Sequence, residues 1–412
     1  MTFSARISVL VLSSAGLLGL TGCQLPSPST TAPIEIAPLP GNVEIVAPDP
    51  SPEVEVTSVS IPARIIGNLV VIETVGRPDG PWRFLLDTGS SATLVSPEFA
   101  IRYRLDEQTP TGPKVWLRDA VGRAAPADSI LLRRIDFGPA HIANVRGLVH
   151  DCGEISNQLG IKIDGVLGFS LFRNARLTID YPGERIVLTS HEDRTPLRGC
   201  IVPVTKHNNV PLIRVRMGEL DLMTLVDTGS DGAFNLDPAG MELEFITPPR
   251  RGASVKTLFG SHQQQIARLD STLVIEDHQI ENPIVDLSGQ LTSLGGAVLR
   301  NFEITFDQVR EVAAFYRAEP GPLRLPAEIS SGMSFSRNRA YWRVDGVVPG
   351  SPAAKVGVQV GDLIVRIEGE PVEQWELNRF TELVNGLADI EYTFIEGSAE
   401  VAKTAASFPL IP

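Results

Sequence analysis

The sequence predicts a mainly β protein, in which two related β units precede a smaller α+β domain. The chain of 412 residues is long enough for two or three domains, each with its own hydrophobic core. An internal repeat marks the two β units, and short apolar segments bounded by turn residues predict their strands. The repeat stops after Tyr316, where a proline-rich boundary and a different glycine pattern indicate the third unit.

Composition and charge exclude several classes of function. Hydrophobic residues make up 43% of the chain and charged residues 21%, which is typical of a globular protein and not of a disordered one. The formal net charge of -13 argues against a nucleic-acid partner, because such binding usually needs a basic face. The three cysteines and six scattered histidines have no metal-binding spacing, so we expect neither a metal nor another cofactor.

Residues 1–22 are predicted to be a secretory signal. Arg6 precedes an apolar run that is too short to cross a bilayer comfortably, and small residues follow it. The segment Leu20–Cys23 resembles the bacterial lipobox, which implies cleavage before Cys23 and anchoring in a membrane through lipid on that cysteine. Gln24 then implies a periplasm-facing outer-membrane location if the host has two membranes. An ordinary signal peptide with a chance cysteine is the alternative.

Residues 23–57 are predicted to be a tether between the lipid and the folded body. From residue 24 onward they contain eight prolines, five acidic residues and no Lys or Arg, so they cannot form a core. Fully extended, the segment would reach on the order of 100 Å. An inhibitory propeptide is less favoured, because it would need basic residues to pair with an acidic site.

The internal repeat covers residues 58–318. Phe84–Ser90 and Thr224–Ser230 both end in Asp-Thr-Gly-Ser, 140 residues apart, and each follows a β-like apolar stretch. In the same register, Val166–Gly168 corresponds to Ser293–Gly295. Two units, 58–200 and 201–318, therefore share a start, an end and an order.

The paired Asp-Thr-Gly-Ser motifs, each followed by an apolar-apolar-Gly element, resemble an aspartic endopeptidase of the retropepsin/pepsin type. The resemblance implies a two-lobed fold in which Asp87 and Asp227 are catalytic and act on extended polypeptide. Two neighbouring carboxylates cannot comfortably be ionised together, so one acts as base toward water and the other as acid. The sequence leaves open which one starts protonated. Gly89 and Gly229 allow the tight turn that brings backbone N–H groups to the carboxylates.

Four further residues of the motifs are expected to support the pair. By resemblance, Thr88 and Thr228 hydrogen-bond across the two lobes and hold the carboxyls coplanar. Ser90 and Ser230 would each donate a hydroxyl to the adjacent carboxylate, and such a donor lowers its pKa. Retroviral relatives carry alanine there, so we expect a more acidic pH optimum than theirs.

Two hairpins are predicted to be flaps that cover the site, as in retropepsin dimers. Each lies between an aspartate and its glycine element. Val115–Arg118 and the chain from Arg123 flank Gly122 in the first, and Val255–Phe259 flanks Gly260 in the second. Ordinary surface hairpins are the alternative.

Cys152 and Cys200 are the two cysteines left once Cys23 is lipidated. In an oxidising compartment they would either pair, closing a loop around the end of the first lobe, or stay two separate buried thiols. The sequence leaves both open, and no histidine pairing marks either as a nucleophile.

Residues 323–398 resemble a PDZ domain, because Val347–Ala354 and Gly361–Ile364 lie at the spacing of that family. The resemblance implies a helix at 376–385 beside a peptide groove. It places the carboxylate-binding loop at the tetrapeptide Gly332, Met333, Ser334 and Phe335. There a peptide C-terminus would add a strand to the sheet edge. Alternatively, the domain packs on the protease as a regulatory or structural lid. Residues 399–412 are predicted to be a tail.

These observations predict a membrane-tethered, extracytoplasmic aspartic endopeptidase with a PDZ domain for recruitment or regulation. The alternative is a catalytically inert lipoprotein that uses its PDZ domain to bind peptides. Loss of one aspartate or its glycine would mark such decay, and both motifs are intact.

Overall fold

The computed structural model describes residues 9–12, 53–54, 58–74, 80–105, 115–138, 140–289 and 291–412. The predicted signal peptide, Cys23 and the predicted tether lie outside the described residues, apart from the short strands Val9–Leu12 and Glu53–Val54. Strands account for 54% of the structure and helices for 11%, which confirms the predicted fold class.

The described residues of the first β unit form ten strands. Its strands are Ser58–Ile66, Leu69–Glu73, Arg83–Asp87, Thr93–Val95, Val115–Asp119, Ala124–Phe137, Ala140–Val149, Gly165–Gly168, Ala175–Asp180 and Arg185–Ser190. Its helices are Pro97–Tyr103, Gly153–Leu159 and the 3-10 turn Phe169–Phe172. Ser96 caps the first helix by accepting a hydrogen bond from the Phe99 N–H.

The second β unit repeats this order over residues 200–316. Its strands are Cys200–Pro203, Thr205–His207, Val210–Met217, Leu220–Val226, Phe234–Asn235, Phe245–Thr257, Gly260–Leu269, Thr272–Ile275, His278–Glu281, Ile284–Asp286, Ser293–Leu294, Glu303–Asp307 and Val312–Tyr316. A short helix, Gly296–Leu299, follows the second glycine element. The strand Val210–Met217 alternates buried and exposed side chains over most of its length, as a half-buried strand does.

The two β units share one sheet. Ala175–Asp180 pairs antiparallel with Glu303–Asp307, and Thr178 lies opposite Thr305 with their hydroxyls 2.8 Å apart. These two threonines are equivalent in the repeat, so the units meet as two copies meet across a two-fold axis. Behind this sheet the rings of Phe169 and Phe306 pack edge to face at 5.2 Å, which joins the two halves of one core.

The C-terminal domain is a five-stranded antiparallel sheet with a short strand added to it and two helices. Its strands are Met333–Arg337, Trp342–Val347, Leu363–Ile367, Glu370–Pro371, Asp389–Glu396 and Ala399–Ala406. Its helices are Pro352–Lys355, the 3-10 turn Val372–Gln374 and Leu377–Asn385. Ser351 caps the first helix through the Ala354 N–H, which explains the Ser-Pro-Ala-Ala sequence there. Met333–Arg337 lies at the edge of the sheet and is called the edge strand below.

The predicted tail at 399–412 is wrong. Ala399–Ala406 pairs along its whole length with Asp389–Glu396, and Phe408–Ile411 pairs with Glu328–Ser330. The strand Ala399–Ala406 buries only small side chains such as Ala405, so it lacks the large apolar alternation that marks a strand in a sequence. Leu323–Arg324 forms one further short strand beside the second β unit. Among the described residues, no helix is long and apolar enough to cross a membrane.

Candidate active site

The two predicted aspartates lie at equivalent places in the two β units. Asp87 ends the strand Arg83–Asp87, and Gly165–Gly168 runs parallel to that strand with Gly168 opposite Asp87. In the second unit, the Asp227 N–H donates to the Leu294 carbonyl at 2.9 Å, next to Gly295. A Cβ at Gly168 would lie 2.4 Å from the Ala92 carbonyl oxygen, so only glycine allows this close approach. Both predicted apolar-apolar-Gly elements therefore support the aspartate loops.

The two aspartate loops are in contact with each other. The Gly229 main chain lies against the Asp87 carboxyl, because a Cβ at Gly229 would be 2.4 Å from Asp87 Cγ. The Gly229 N–H also donates to Asp227 Oδ1 at 3.0 Å. The exposed fraction is 0% for Asp87 and 2% for Asp227. The geometry thus buries two adjacent carboxyls, one from each repeat.

Burial raises the pKa of Asp87 well above its ordinary value, and the neighbouring charge of Asp227 raises it further. The backbone N–H groups of Gly89 and Ser90 act in the opposite direction but are outweighed. A carboxyl in this position keeps its proton at a pH where an exposed aspartate has lost it. The pair is therefore suited to hold one proton and one negative charge.

Thr88 and Thr228 form the cross-link that the resemblance implied. The Thr88 N–H donates to Thr228 Oγ1 at 3.0 Å, and the Thr228 N–H donates to Thr88 Oγ1 at 3.1 Å. The hydroxyls donate in turn to the carbonyls of Val226 at 2.5 Å and Leu86 at 2.8 Å, the residues that precede each aspartate. Four hydrogen bonds thus fix the two loops relative to each other.

The predicted role of the Ser90 hydroxyl is wrong. It donates to the Ala92 carbonyl at 2.7 Å, and a hydroxyl has only one proton to donate. The groups that lower the pKa of Asp87 are instead the nearby backbone N–H groups of Gly89 and Ser90. Ser230 Oγ accepts from Asn235 Nδ2 at 3.5 Å, and its donation to Asp227 stays a prediction. The more acidic pH optimum was expected because a serine hydroxyl would donate to each aspartate. At Asp87 that reason no longer applies, since Ser90 donates elsewhere.

The predicted flap glycines lie at the tips of two hairpins that touch each other. We call Val115–Asp119 with Ala124–Phe137 the N-hairpin, and Phe245–Thr257 with Gly260–Leu269 the C-hairpin. Gly122 lies in the turn of the N-hairpin with a positive φ of 83°, and Gly260 begins the second strand of the C-hairpin with a φ of 152°. The flap role of the two glycines stays a prediction.

Two side chains that the sequence did not single out join the hairpin tips. The Arg123 guanidinium donates to the carbonyls of Ser261 at 2.9 Å and Phe259 at 3.3 Å. Thr257 Oγ1 donates to the buried Asp119 carboxylate at 2.7 Å. No local pattern distinguishes these residues in the sequence, because each acquires its partner from the other β unit.

Both cysteines of the folded body are free thiols. Cys152 is buried, and burial raises the pKa of its thiol to about 12, with the charges of Asp151 and Asp164 adding to the effect. A thiol with such a pKa stays protonated and is a poor nucleophile. The structure therefore has neither the disulfide nor a reactive cysteine at this position.

Free thiols predict a simple chemical result. When the protein is unfolded without reductant in the presence of an alkylating reagent, the peptides containing Cys152 and Cys200 should both be recovered alkylated. The same peptides from a sample reduced first should give the same yield. Recovery of a cross-linked peptide pair from the unreduced sample would contradict the structure.

Two family models match parts of the chain. The model described as aspartyl protease matches residues 74–171, and the model described as PDZ domain matches residues 343–386. The chain carries an aspartyl protease domain and a PDZ domain. The first match includes Asp87, and the motif at Asp227 lies outside it.

Two further comparisons concern curated proteins and solved structures. No curated protein matches the chain. Among solved structures, the chain is similar to conglutin gamma, a basic 7S globulin from lupine seeds, at 10% identity and a TM-score of 0.38. The match covers 64% of this chain and 95% of that one.

The predicted carboxylate-binding loop of the PDZ domain is not an open site in this structure. All four residues are buried: Gly332, Met333, Ser334 and Phe335. The Gly332 N–H donates to Ser330 Oγ at 3.0 Å and the Met333 N–H to Ser331 Oγ at 3.3 Å. The N–H groups to which a peptide carboxylate would bind are therefore already hydrogen-bonded to these hydroxyls. The loop therefore has to rearrange before it can bind a peptide C-terminus.

Elements of the protease domain contact both sides of the PDZ groove. Helix Gly153–Leu159 packs against the edge strand, and the Arg337 guanidinium donates to the Gln158 carbonyl. On the other side, Asn378 of helix Leu377–Asn385 donates to the Ile65 carbonyl at 2.8 Å. The sheet edge to which a peptide would add a strand is therefore already in contact with helix Gly153–Leu159 of the same chain.

Arg337 of the PDZ domain lies near enough to the second aspartate loop for the charge of Asp231 to act on it. Burial lowers the pKa of its guanidinium to about 9, while the charges of Asp231 and Asp345 act in the opposite direction. Asp231 directly follows the second Asp-Thr-Gly-Ser motif.

Among the described residues, no group of three or more His, Cys, Asp or Glu side chains is placed to hold a metal ion.

Proposed function

We propose that this protein is an aspartic endopeptidase that hydrolyses internal peptide bonds of polypeptides with a water held between Asp87 and Asp227. The observation that carries the proposal is the pair of buried carboxyls, one from each repeat, cross-linked by Thr88 and Thr228. This arrangement is unsuited to a passive structural role, because two adjacent buried carboxyls destabilise a fold that gains nothing from them.

The two carboxyls have different surroundings, which suggests their starting roles. Gly229 N–H donates to Asp227 and favours its charged form, whereas burial favours the neutral form of Asp87. Asp227 would take a proton from water as the water oxygen attacks the peptide carbonyl carbon. Asp87 would give its proton to the carbonyl oxygen. The proton on Asp227 then passes to the leaving nitrogen, Asp87 takes back a proton from a hydroxyl of the tetrahedral intermediate, and the C–N bond breaks to give a carboxylic acid and an amine, which restores the starting protonation of the pair.

We also propose that the enzyme is extracytoplasmic and anchored to a membrane through lipid on Cys23. The lipobox-like Leu20–Cys23 and the proline-rich segment after it support this location. The periplasmic face of an outer membrane is the favoured site in a host with two membranes. The anchor would leave the folded body free to meet polypeptides within reach of the tether.

For the PDZ domain, the packing supports regulation over recruitment of substrate tails. The loop residues Gly332–Phe335 are buried, and helix Gly153–Leu159 packs against the edge strand. A C-terminal peptide could bind only in competition with these contacts. In this conformation the PDZ domain is therefore packed as part of the protease, and a peptide has to displace these contacts before the domain can bind it.

The direct test is cleavage of a mixed peptide library by the purified protein between about pH 3 and pH 8, with products read by mass spectrometry. Internal cleavage should persist with a metal chelator and a thiol-alkylating reagent present. An Asp227→Asn preparation purified in the same way is the blank for contaminating proteases. If folded wild-type protein cuts nothing at any pH, the peptidase proposal fails and an inert peptide-binding lipoprotein is favoured.

A further inference from the structure

Lys256 of the C-hairpin lies where three parts of the molecule meet. Its Nζ is 3.0 Å from Asp345 Oδ2 and donates to Ser336 Oγ at 3.1 Å, both in the PDZ domain. It is also 3.7 Å from Glu154 Oε2, on the helix that packs against the edge strand. One side chain of the hairpin thus contacts both the PDZ domain and its neighbouring helix.

The principal partner of Lys256 is shielded from solvent. The exposed fraction of the side chain is 8% for Asp345 and 22% for Lys256, against 66% for Glu154. Screening by water and salt is weaker for such a partly buried pair than for a surface pair. Ser336 also donates to Asp345, which holds the carboxylate toward the lysine. The contact with Asp345 is therefore the one expected to contribute most.

The backbone around this contact is packed closely as well. A Cβ at Gly346 would lie 3.0 Å from Ser254 Cβ and 3.3 Å from its backbone nitrogen, so the PDZ strand Trp342–Val347 lies against the C-hairpin. Next to Lys256, Thr257 binds Asp119 of the N-hairpin. The hairpin cannot lift as a unit without breaking the contact to the PDZ domain.

Lifting is required for catalysis if the proposed function holds. Asp87 is fully buried, so an extended polypeptide cannot reach it in this conformation. Leu258 at the hairpin tip belongs to the same apolar cluster as Leu85, two residues before Asp87. The tip of the closed hairpin therefore belongs to the apolar cluster that also contains this strand, and we expect substrate to bind only to the fraction of molecules in which the hairpin is open.

We propose that Lys256 is a positioning residue through which the PDZ domain holds the C-hairpin closed, and that its contact with Asp345 must break for substrate to enter. The catalytic part of this inference rests on the proposed peptidase function. The claim that the PDZ domain holds the C-hairpin closed does not rest on that function, because it concerns the protein without substrate. In this proposal the PDZ domain holds the proposed flap in place, in addition to binding any peptide.

The test compares four variants of the full chain. Lys256→Met removes the charge and keeps the length of the side chain, and Lys256→Arg keeps the charge. Lys206→Met is the matched control, because Lys206 also lies in the second β unit and pairs with Glu311, away from the PDZ domain. Asp345→Asn removes the same contact from the PDZ side and serves if Lys256→Met fails to fold.

The first measurement is amide hydrogen exchange in residues 245–269 without substrate. Exchange should be faster in Lys256→Met and Asp345→Asn, on the order of 10-fold, and should return toward the wild-type rate in Lys256→Arg. Lys206→Met should match the wild type. Wild-type exchange rates in both Lys256→Met and Asp345→Asn would overturn the inference.

The second measurement separates KM from kcat in peptide cleavage. Easier opening should lower KM in Lys256→Met by a similar factor and leave kcat nearly unchanged, because the carboxyl pair is untouched. An unchanged KM with faster exchange would overturn the claim that the contact limits substrate entry. If the wild type cleaves nothing while the exchange result holds, the proposed function fails and the grip on the hairpin stands.

Discussion

Asp87→Asn is expected to lower peptidase activity by about 10³-fold or more while leaving the protein folded. The amide has the shape of the carboxyl but can neither give nor take the proton that the reaction moves. It also fits the buried site, where the Gly229 main chain lies against the side chain. Asp237→Asn is the matched control and should retain full activity, because Asp237 lies outside both Asp-Thr-Gly-Ser motifs and accepts the local Ala239 N–H. Residual activity near that of the control would contradict the carboxyl-pair mechanism.

The same variant should be more stable than the wild type at neutral pH. The pKa of Asp87 is raised by burial and by Asp227, so the folded wild type is most stable where Asp87 is protonated. That stability is fully present below the unfolded pKa, near about 3.9, and is lost as pH rises through the raised pKa of the folded state. Asparagine has no charge to lose. Thermal unfolding should show a higher Tm for Asp87→Asn at pH 7 and converging values near pH 3.5, and a lower Tm at pH 7 would refute the assigned direction.

The aspartate pair could be predicted from the sequence because its geometry is encoded locally and twice. Each Asp-Thr-Gly-Ser motif carries its own turn, and each glycine element pairs with the strand beside it. The threonine cross-link follows from the symmetry of two such loops, since each threonine performs for its partner what the partner performs for it. Repetition made these predictions specific.

Other features depended on contacts that no local pattern records. The Ser90 hydroxyl donates to the Ala92 carbonyl and not to a carboxylate. The strand Ala399–Ala406 is stabilised by backbone pairing with its neighbour, without large apolar side chains. Helix Gly153–Leu159 contacts an edge strand that is distant in sequence. Arg337 and Gln158, which form a hydrogen bond there, are 179 residues apart. Such long-range packing decides whether the edge strand of the PDZ domain is accessible to a peptide.

Thr228→Val is expected to destabilise the protein by about 2–5 kcal/mol, because valine has the size of threonine but no hydroxyl. The change removes the acceptor of the buried Thr88 N–H and the hydroxyl that donates to the Leu86 carbonyl. Thr305→Val is the matched control on the same two-fold axis. It removes the hydroxyl pair with Thr178 and should cost about 1 kcal/mol. Denaturant unfolding measures both free energies, and equal losses would show that the cross-link adds nothing special.

The catalytic effect of Thr228→Val distinguishes a structural from a positioning role. The hydroxyl of Thr228 bonds the carbonyl just before Asp87, so its loss shifts one carboxyl relative to the other. A displacement near 1 Å at reacting groups costs about 10²-fold in rate. The loss should fall mainly on kcat, measured at a temperature where the variant is fully folded, since substrate contacts elsewhere are unchanged. Thr305→Val, whose hydroxyl pairs only with Thr178, should keep its kcat, because it leaves both loops in place.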